Sequence, residues 1–490
     1  MKPELQVCLE TFQRWLQLPP DAGSVLFTLG VVTANRAQGD AVWGLLVGGS
    51  GWGKTETLMS LSKQPDVHPA GPITEGALLS GTPKRERGNA KGGLLREIGD
   101  FGILLVKDFG SVLSMNRDTR AQVLAALREV YDGSWTRHVG VDGGRTLHWE
   151  GKVGMVAGCT PIIDSHHGVM AAMGERFVFY RLPMTDQDGQ ARSALRHDGA
   201  ERTMRADLAE ASSLVLAAVD GDLLAAPVSD EDRERLIRLA TLAVRARSAV
   251  ERDPRTREIE LVPDAEAPGR LALILLRLLK ALRALGAEDE AAWTVVQKCA
   301  LDCVPAVRRQ VAEILLGLTE AGTAEVATAI DYPTTTTRRA LEDLTAHGLM
   351  KRRKIKLVGP KGGSTNADRW SLTPFARERW PRRFPEKSFH TQSAEEREGG
   401  DQQSPTDISE TCPRCGGELQ EARGDPDCYG CEIGDPFCPA CNRHANYDPT
   451  EGQSGEGFQA EGCPECGLAW SATRPGEPRR CLRGHPEVAA

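Results

Sequence analysis

The sequence predicts an α/β core, then a helical region, a three-helix module closed by a basic hairpin, and a small cysteine-rich tail. Three observations carry this reading. The apolar run Trp43 to Val47 leads straight into a glycine-rich loop and a helical stretch. A second apolar run, Ile103 to Val106, is followed closely by Asp108. Nine of the 13 cysteines fall after residue 411, most of them in Cys-x-x-Cys pairs.

Length and composition set the bounds. A chain of 490 residues is long enough for roughly three domains. Hydrophobic residues make up 40%, enough for buried cores. The net charge of -8 and pI near 5.8 give no global field attracting polyanions, so a basic footprint must be local. The first 20 residues have no unbroken apolar core, and no run reaches the ~18 apolar residues of a membrane span. A cytoplasmic protein with no membrane association is expected. A reducing compartment also suits the clustered cysteines as metal ligands.

The core is expected over residues 1–184. Gly48, Gly49, Ser50, Gly51, Trp52, Gly53, Lys54 and Thr55 fit G-x-x-x-x-G-K-[ST] between a strand and a helix. The glycines let backbone N–H groups converge on phosphate oxygens, and the helix start adds partial positive charge. Lys54 is placed to reach the β- and γ-phosphates, and the Thr55 hydroxyl to bind Mg²⁺. The pattern reads as a nucleotide site, with ATP and Mg²⁺ the expected ligands; a glycine-rich turn by chance is the alternative. Asp108, ending the second apolar run, is the expected acid near the metal. Many such proteins place Glu directly after this Asp to orient the attacking water; here Phe109 stands there. Glu75 and Glu97, upstream, are the alternative bases.

Residues 137–149, RHVGVDGGRTLHW, read as a hairpin around Asp142-Gly143-Gly144. It precedes the apolar strand KVGMVAGC and Thr160. This order resembles AAA+ ATPases. It is similar to the group with a hairpin before the sensor-1 strand, as in minichromosome-maintenance and superfamily 3 helicases. The stretches LLREIGDFGILLVKDF, LREVYDG and GERF also resemble uncharacterised P-loop proteins of phages and integrative elements. The resemblance covers residues 1 to about 300. It implies that Thr160 is sensor 1 and Arg176 an arginine finger reaching the next subunit of a homo-oligomeric ring, expected as a hexamer. It further implies that Arg137, His138 and Arg145 face nucleic acid in a central channel. The alternatives are a plain solvent hairpin or subunit contact, and a structural Glu175–Arg176 ion pair. Residues 185–303, rich in Ala, Leu and Arg, would form a helical lid, with Arg270 a sensor-2 candidate or simply a solvated helix-start arginine.

Residues 304–380 read as a winged helix: helices over Val307–Leu318, TAEVATAI and TTTTRRALEDLTAHGL, then a hairpin as the wing. Arg338 and Arg339 suit major-groove insertion, while Lys351, Arg352, Arg353, Lys354 and Lys356 suit phosphates. Over about 70 residues it resembles the MarR and ArsR regulators. A winged helix used for protein contacts is the alternative. Residues 381–410 are rich in Pro, Glu, Gln and Ser and read as a flexible linker.

The tail, 411–490, pairs Cys412 with Cys415, Cys428 with Cys431, Cys438 with Cys441, and Cys463 with Cys466. Eight thiolates make two tetrahedral Zn²⁺ sites in a zinc-ribbon-like tail, the pairs taken in sequence or interleaved, and Cys481 with His485 is a spare pair that one site could use instead. Disulfides are the alternative reading. Structural zinc supplies roughly 10–16 kcal/mol of apparent binding energy, enough to fold so apolar-poor a tail. Such ribbons bind nucleic acid or protein, so a replication or primase partner is one expectation.

Together these imply an ATP-dependent, DNA-acting ATPase, a helicase or helicase-like remodeller in mobile-element replication. The rivals are a nucleotide-switched DNA-binding regulator that unwinds nothing, and a scaffold whose tail recruits a partner.

Overall fold

The computed structural model describes residues 1–16, 18, 22–81, 92–140, 144–172, 174–183, 186–358 and 364–381, and three short strands beyond residue 419. The chain divides into two compact units, residues 1–387 and 388–490.

The first unit is mixed α/β. Its strands are β1 (Trp43–Val47), β2 (Val67–Ala70), β3 (Phe101–Val106), β4 (Ser134–Val139), β5 (Arg145–Glu150), β6 (Lys152–Cys159) and β7 (Phe177–Arg181). Five of them make a parallel sheet in the order β2-β3-β6-β1-β7. Every residue of β1 and β7 is buried, and β6 is buried from Val153 onward. Burial on both faces explains why these strands read as continuous apolar runs rather than alternating ones. The helix Gly23–Arg36 lies almost wholly buried against the sheet and against the helix Gly269–Leu285. Strands β4 and β5 pair antiparallel outside this sheet, as the hairpin expectation required. Its turn, 141–143, lies outside the described residues.

Between residues 187 and 302 the chain is helical, broken by a short hairpin of β8 (Glu251–Arg252) and β9 (Ile259–Leu261). Three helices follow at Ala306–Gly317, Thr323–Ile330 and Thr334–Ala346. The third ends where Gly348 adopts φ +72°, a left-handed stop that glycine takes without a Cβ penalty. A three-stranded antiparallel sheet closes the group, with β12 (Ser364–Leu372) between β10 (Ala321–Gly322) and β11 (Met350–Val358). Its core includes Leu242 and Ala246 from the helix Asp230–Arg247, so this group packs directly on the helical region.

In the second unit three short strands, β13 (Gln420–Glu421), β14 (Pro436–Cys438) and β15 (Arg443–His444), pair antiparallel. Cys438 ends β14. Cys412, Cys415, Cys428, Cys431, Cys441, Cys463, Cys466, Cys481 and His485 lie outside the described residues, as does the expected linker after Pro381. Among the described residues no helix is long and apolar enough to cross a membrane.

Candidate nucleotide and nucleic-acid sites

The glycine-rich loop sits at the carboxyl end of β1, where ligands gather in open parallel sheets. Gly51 and Gly53 adopt φ of +81° and +74°, conformations a side chain would strain. A Cβ on Gly49 would come within 2.9 Å of the Trp52 indole, so that ring folds down onto its own loop. Lys54 opens a short helix, Lys54–Met59, and its Nζ donates to the carbonyls of Gly48 and Gly49 at 2.7 and 2.5 Å. Burial lowers the Lys54 pKa, and the nearby Cys159 and Asp108 oppose that shift.

The strand order brings the other expected residues to this loop. Strand β6 lies between β1 and β3, and Val47 pairs with Cys159. Thr160, one residue on, therefore stands between the loop and the end of β3. Gly48 N–H donates to the Cys159 carbonyl at 3.1 Å, which fixes the loop's entry beside it. Asp108 Oδ1 accepts from Gly110 N–H at 2.9 Å, holding the carboxylate just past β3. Phe109 is fully buried, its ring 5.0 Å from that of Phe177. A core side chain there orients no water. Glu75 starts the helix Glu75–Leu78, and Glu97 is an exposed residue of the helix Leu94–Ile98.

A cavity of about 260 Å³ opens beside the loop. Trp15, Trp52 and His197 supply ring surface, and Gln190, Ser193 and Glu56 supply polar edges. The Trp15 and His197 ring centroids are 4.8 Å apart. Arg205 of the helix Glu201–Ala217 grips Glu56 of the loop's helix at 2.9 Å. Sequence reasoning missed Trp15, His197 and Arg205, because each reaches the loop only through tertiary packing.

Arg176 is engaged within its own chain. Its guanidinium holds the Asp132 carboxylate at 2.7 and 3.0 Å and sits 5.3 Å from the Tyr131 ring centre, and the residue is 8% exposed. The expected Glu175–Arg176 pair does not form: Arg176 pairs with Asp132, and Glu175 faces Arg247. Arg270 donates to the Gly174 carbonyl at 2.6 Å and to Glu266 at 3.1 Å.

The hairpin has two unlike faces. Trp135, Leu147 and Trp149 are buried. Arg137 shares their side, bonded to the Leu79 carbonyl at 2.5 Å and 3.6 Å from Glu75. It anchors the hairpin. Arg145 has the same parity. Thr136, His138, Thr146 and His148 form the exposed face. His138 is hydrogen-bonded to Thr146 at 3.1 Å, and His148 to Thr136 at 3.0 Å. His148, which alternation along β5 would have placed outward, was not singled out from sequence.

The basic residues of 304–380 also divide. Arg352 of β11 and Arg338 of the third helix both clamp Asp368, at 2.7 and 3.1 Å, and the Arg352 hydrogen bond above all pulls its pKa down. This joins the third helix and one face of the sheet into a single surface. Arg353, on the opposite face, pairs with Glu320 at 2.7 Å. Arg339, Lys351, Lys354 and Lys356 are exposed and form no ion pair with the described residues.

No protein-family profile and no curated protein matches this chain. Among solved structures, a full-length MCM homologue from Methanopyrus kandleri is similar at 16% identity, over 62% of this chain and 63% of that one, with a TM-score of 0.36. The apo structure of the NrS-1 C-terminal region is similar at 10% identity, over 73% of this chain and 77% of that one, with a TM-score of 0.19. This chain thus spans under two thirds of the MCM homologue's length. Fold and site define a mixed α/β protein with a phosphate-type loop at the carboxyl edge of a parallel sheet.

Proposed function

We propose that this chain is an ATP-dependent, DNA-acting ATPase of the AAA+ type, a helicase or helicase-like remodeller in mobile-element replication. One observation carries the reading. Strand β6 lies between the loop strand and the Asp108 strand, so Lys54, Thr160 and Asp108 converge at one sheet edge, and the hairpin feeds directly into β6. A phosphate contact at Thr160 then acts on the strand that carries the hairpin.

The residues fit a magnesium nucleotide. Gly51 and Gly53 take the positive φ that suits a loop whose backbone N–H groups face an anion, and a Cβ at Gly51 would meet nothing within 4 Å. Thr55 Oγ1 and Asp108 would hold the metal, which supplies charge neutralisation at the phosphates. Lys54 exchanges its two loop carbonyls for phosphate oxygens. Thr160 orients the terminal phosphate. The ring-lined cavity takes the nucleobase between Trp52 and the Trp15–His197 pair.

Residues 304–380 act as the winged helix, with Arg339, Lys354 and Lys356 on phosphates and Arg338 near base edges. Arg137 and Arg145 support the hairpin, and His138 and His148 present ring nitrogens to a strand in the channel of a homo-oligomeric ring. Arg176 acts as the finger once released from Asp132. The eight tail cysteines would hold two zinc ions, which would fix a small fold able to dock a replication partner.

Buried Phe109 beside Asp108 favours a second reading, a nucleotide-switched DNA-binding regulator in which binding rather than turnover is the signal. Both readings need the loop. Lys54→Ala is expected to abolish ATP binding by calorimetry while the circular dichroism spectrum stays native. Undiminished ATP affinity in that variant would remove the site assignment.

A further inference from the structure

A network of ion pairs and hydrogen bonds runs from the nucleotide edge to the third helix of the proposed winged helix. It starts at Asp164, in the short helix Pro161–His166 that follows Thr160 directly. Both Nη atoms of Arg181 grip Asp164, at 2.8 and 2.7 Å. Arg181 ends β7 in register with Val47, the last residue before the loop. Its backbone N–H donates to Asp302 Oδ2 at 2.6 Å, and its Nε to the Asp302 carbonyl at 2.9 Å. Asp302 has no solvent exposure. It also takes Lys298 at 3.0 Å and Arg309. Arg309 lies in the helix Ala306–Gly317, the first of the winged-helix group. The adjacent Arg308 donates to Asp343 at 2.9 Å, and Asp343, on the third helix, is held from its other side by Arg252.

A carboxylate without water access is tolerated only when its lone pairs are filled by charged donors, and such networks can be retained because they fix one arrangement of their partners. Asp302 does this where three elements meet: the end of β7, the last lid helix Asp289–Asp302, and the first helix of the DNA module. Its acceptors are occupied, so a shift of the Asp164 helix that moves Arg181 must move Arg309 or break a buried pair.

We infer that Asp302 is a positioning residue that links nucleotide binding at Thr160 to DNA affinity of the winged helix, through Asp164–Arg181 on one side and Arg309 on the other. This rests on the proposed ATP and DNA binding. Linkage is reciprocal: nucleotide changes DNA affinity and DNA changes nucleotide affinity by one factor.

The test measures labelled-duplex affinity by anisotropy with and without adenylyl imidodiphosphate, and nucleotide affinity with and without duplex. The full chain is used as wild type, Asp302→Asn, Asp164→Asn and Asp164→Glu. Wild type is expected to show a shift of about 5-fold or more, equal in both directions. In Asp302→Asn and Asp164→Asn each ligand alone should bind as in wild type, with the mutual shift falling below about 2-fold, and Asp164→Glu should restore it. Asp164 is partly exposed, so if Asp302→Asn unfolds, the Asp164 pair decides. A full shift in Asp164→Asn, or wild type binding both ligands with no shift, overturns the inference. Wild type binding neither ligand overturns the functional reading instead.

Discussion

The division of basic residues in the three-helix module makes a quantitative prediction. Arg339, Lys354 and Lys356 are exposed and unpaired with the described residues, whereas Arg353 is tied to Glu320 at 2.7 Å. Lys354 and Lys356 share the sheet face of Arg352, which Asp368 joins to Arg338 of the third helix, so the three cations border one surface. If each neutralises one phosphate, the triple Ala variant loses three contacts. Each contact accounts for about 0.9 of the slope of log affinity against log salt on duplex DNA, so the slope should flatten by about 2.7. Between 50 and 200 mM salt, wild-type affinity should then fall about 40-fold more than that of the variant. Arg353→Ala should leave the slope within about 0.3 of wild type, because its charge is already offset. Anisotropy titrations of a labelled duplex at several salt concentrations read both. A triple variant with an unchanged slope, or Arg353→Ala flattening it by a full contact, refutes the assignment of this surface.

Three further predictions follow from the sites. Arg176→Ala should keep ATP binding and lose turnover, with partial recovery on mixing with Lys54→Ala; if Asp132→Asn loses turnover equally, the ion pair alone explains the effect. His167 is largely buried, with Nε2 unpartnered and its pKa pushed down to about 4 by burial and Arg308. The unfolded chain therefore takes up a proton near pH 6.5 that the folded chain refuses, so stability should fall between about pH 6.5 and 4 by up to about 3 kcal/mol, and a His167→Gln variant melted across that range should lose the dependence. Ala at both His138 and His148 should reduce DNA stimulation of ATP turnover while melting temperature holds, whereas Arg137→Ala should lower stability by about 1 kcal/mol in urea melts through its lost Leu79 bond.

What the sequence made legible was local. The loop's glycines, Lys54 and Thr55 follow one another along the chain, and the strand before them is apolar at every position because it is buried on both faces. The hairpin and the three-helix module announced themselves by alternation, helix stops and turn residues. The partners of long side chains were not legible. Arg176 reaches Asp132 across 44 residues, Arg205 reaches Glu56 across 149, and Arg181 reaches Asp302 across 121. Such pairs depend on how the sheet, the helical region and the three-helix module pack, and no periodicity records that. The inward turn of Arg137 was recoverable in part: it shares parity with Trp135 on β4, so a basic residue there faces the core side of the hairpin.

The central claim, that ATP chemistry at the loop is driven by DNA, is tested most directly by steady-state ATP hydrolysis with and without saturating DNA, in wild type and Lys54→Ala. The account predicts measurable wild-type turnover that DNA accelerates, and neither turnover nor acceleration in the variant. Tight ATP binding with no turnover in either condition would contradict the motor and leave the nucleotide-switched regulator; turnover surviving in Lys54→Ala would contradict the site itself.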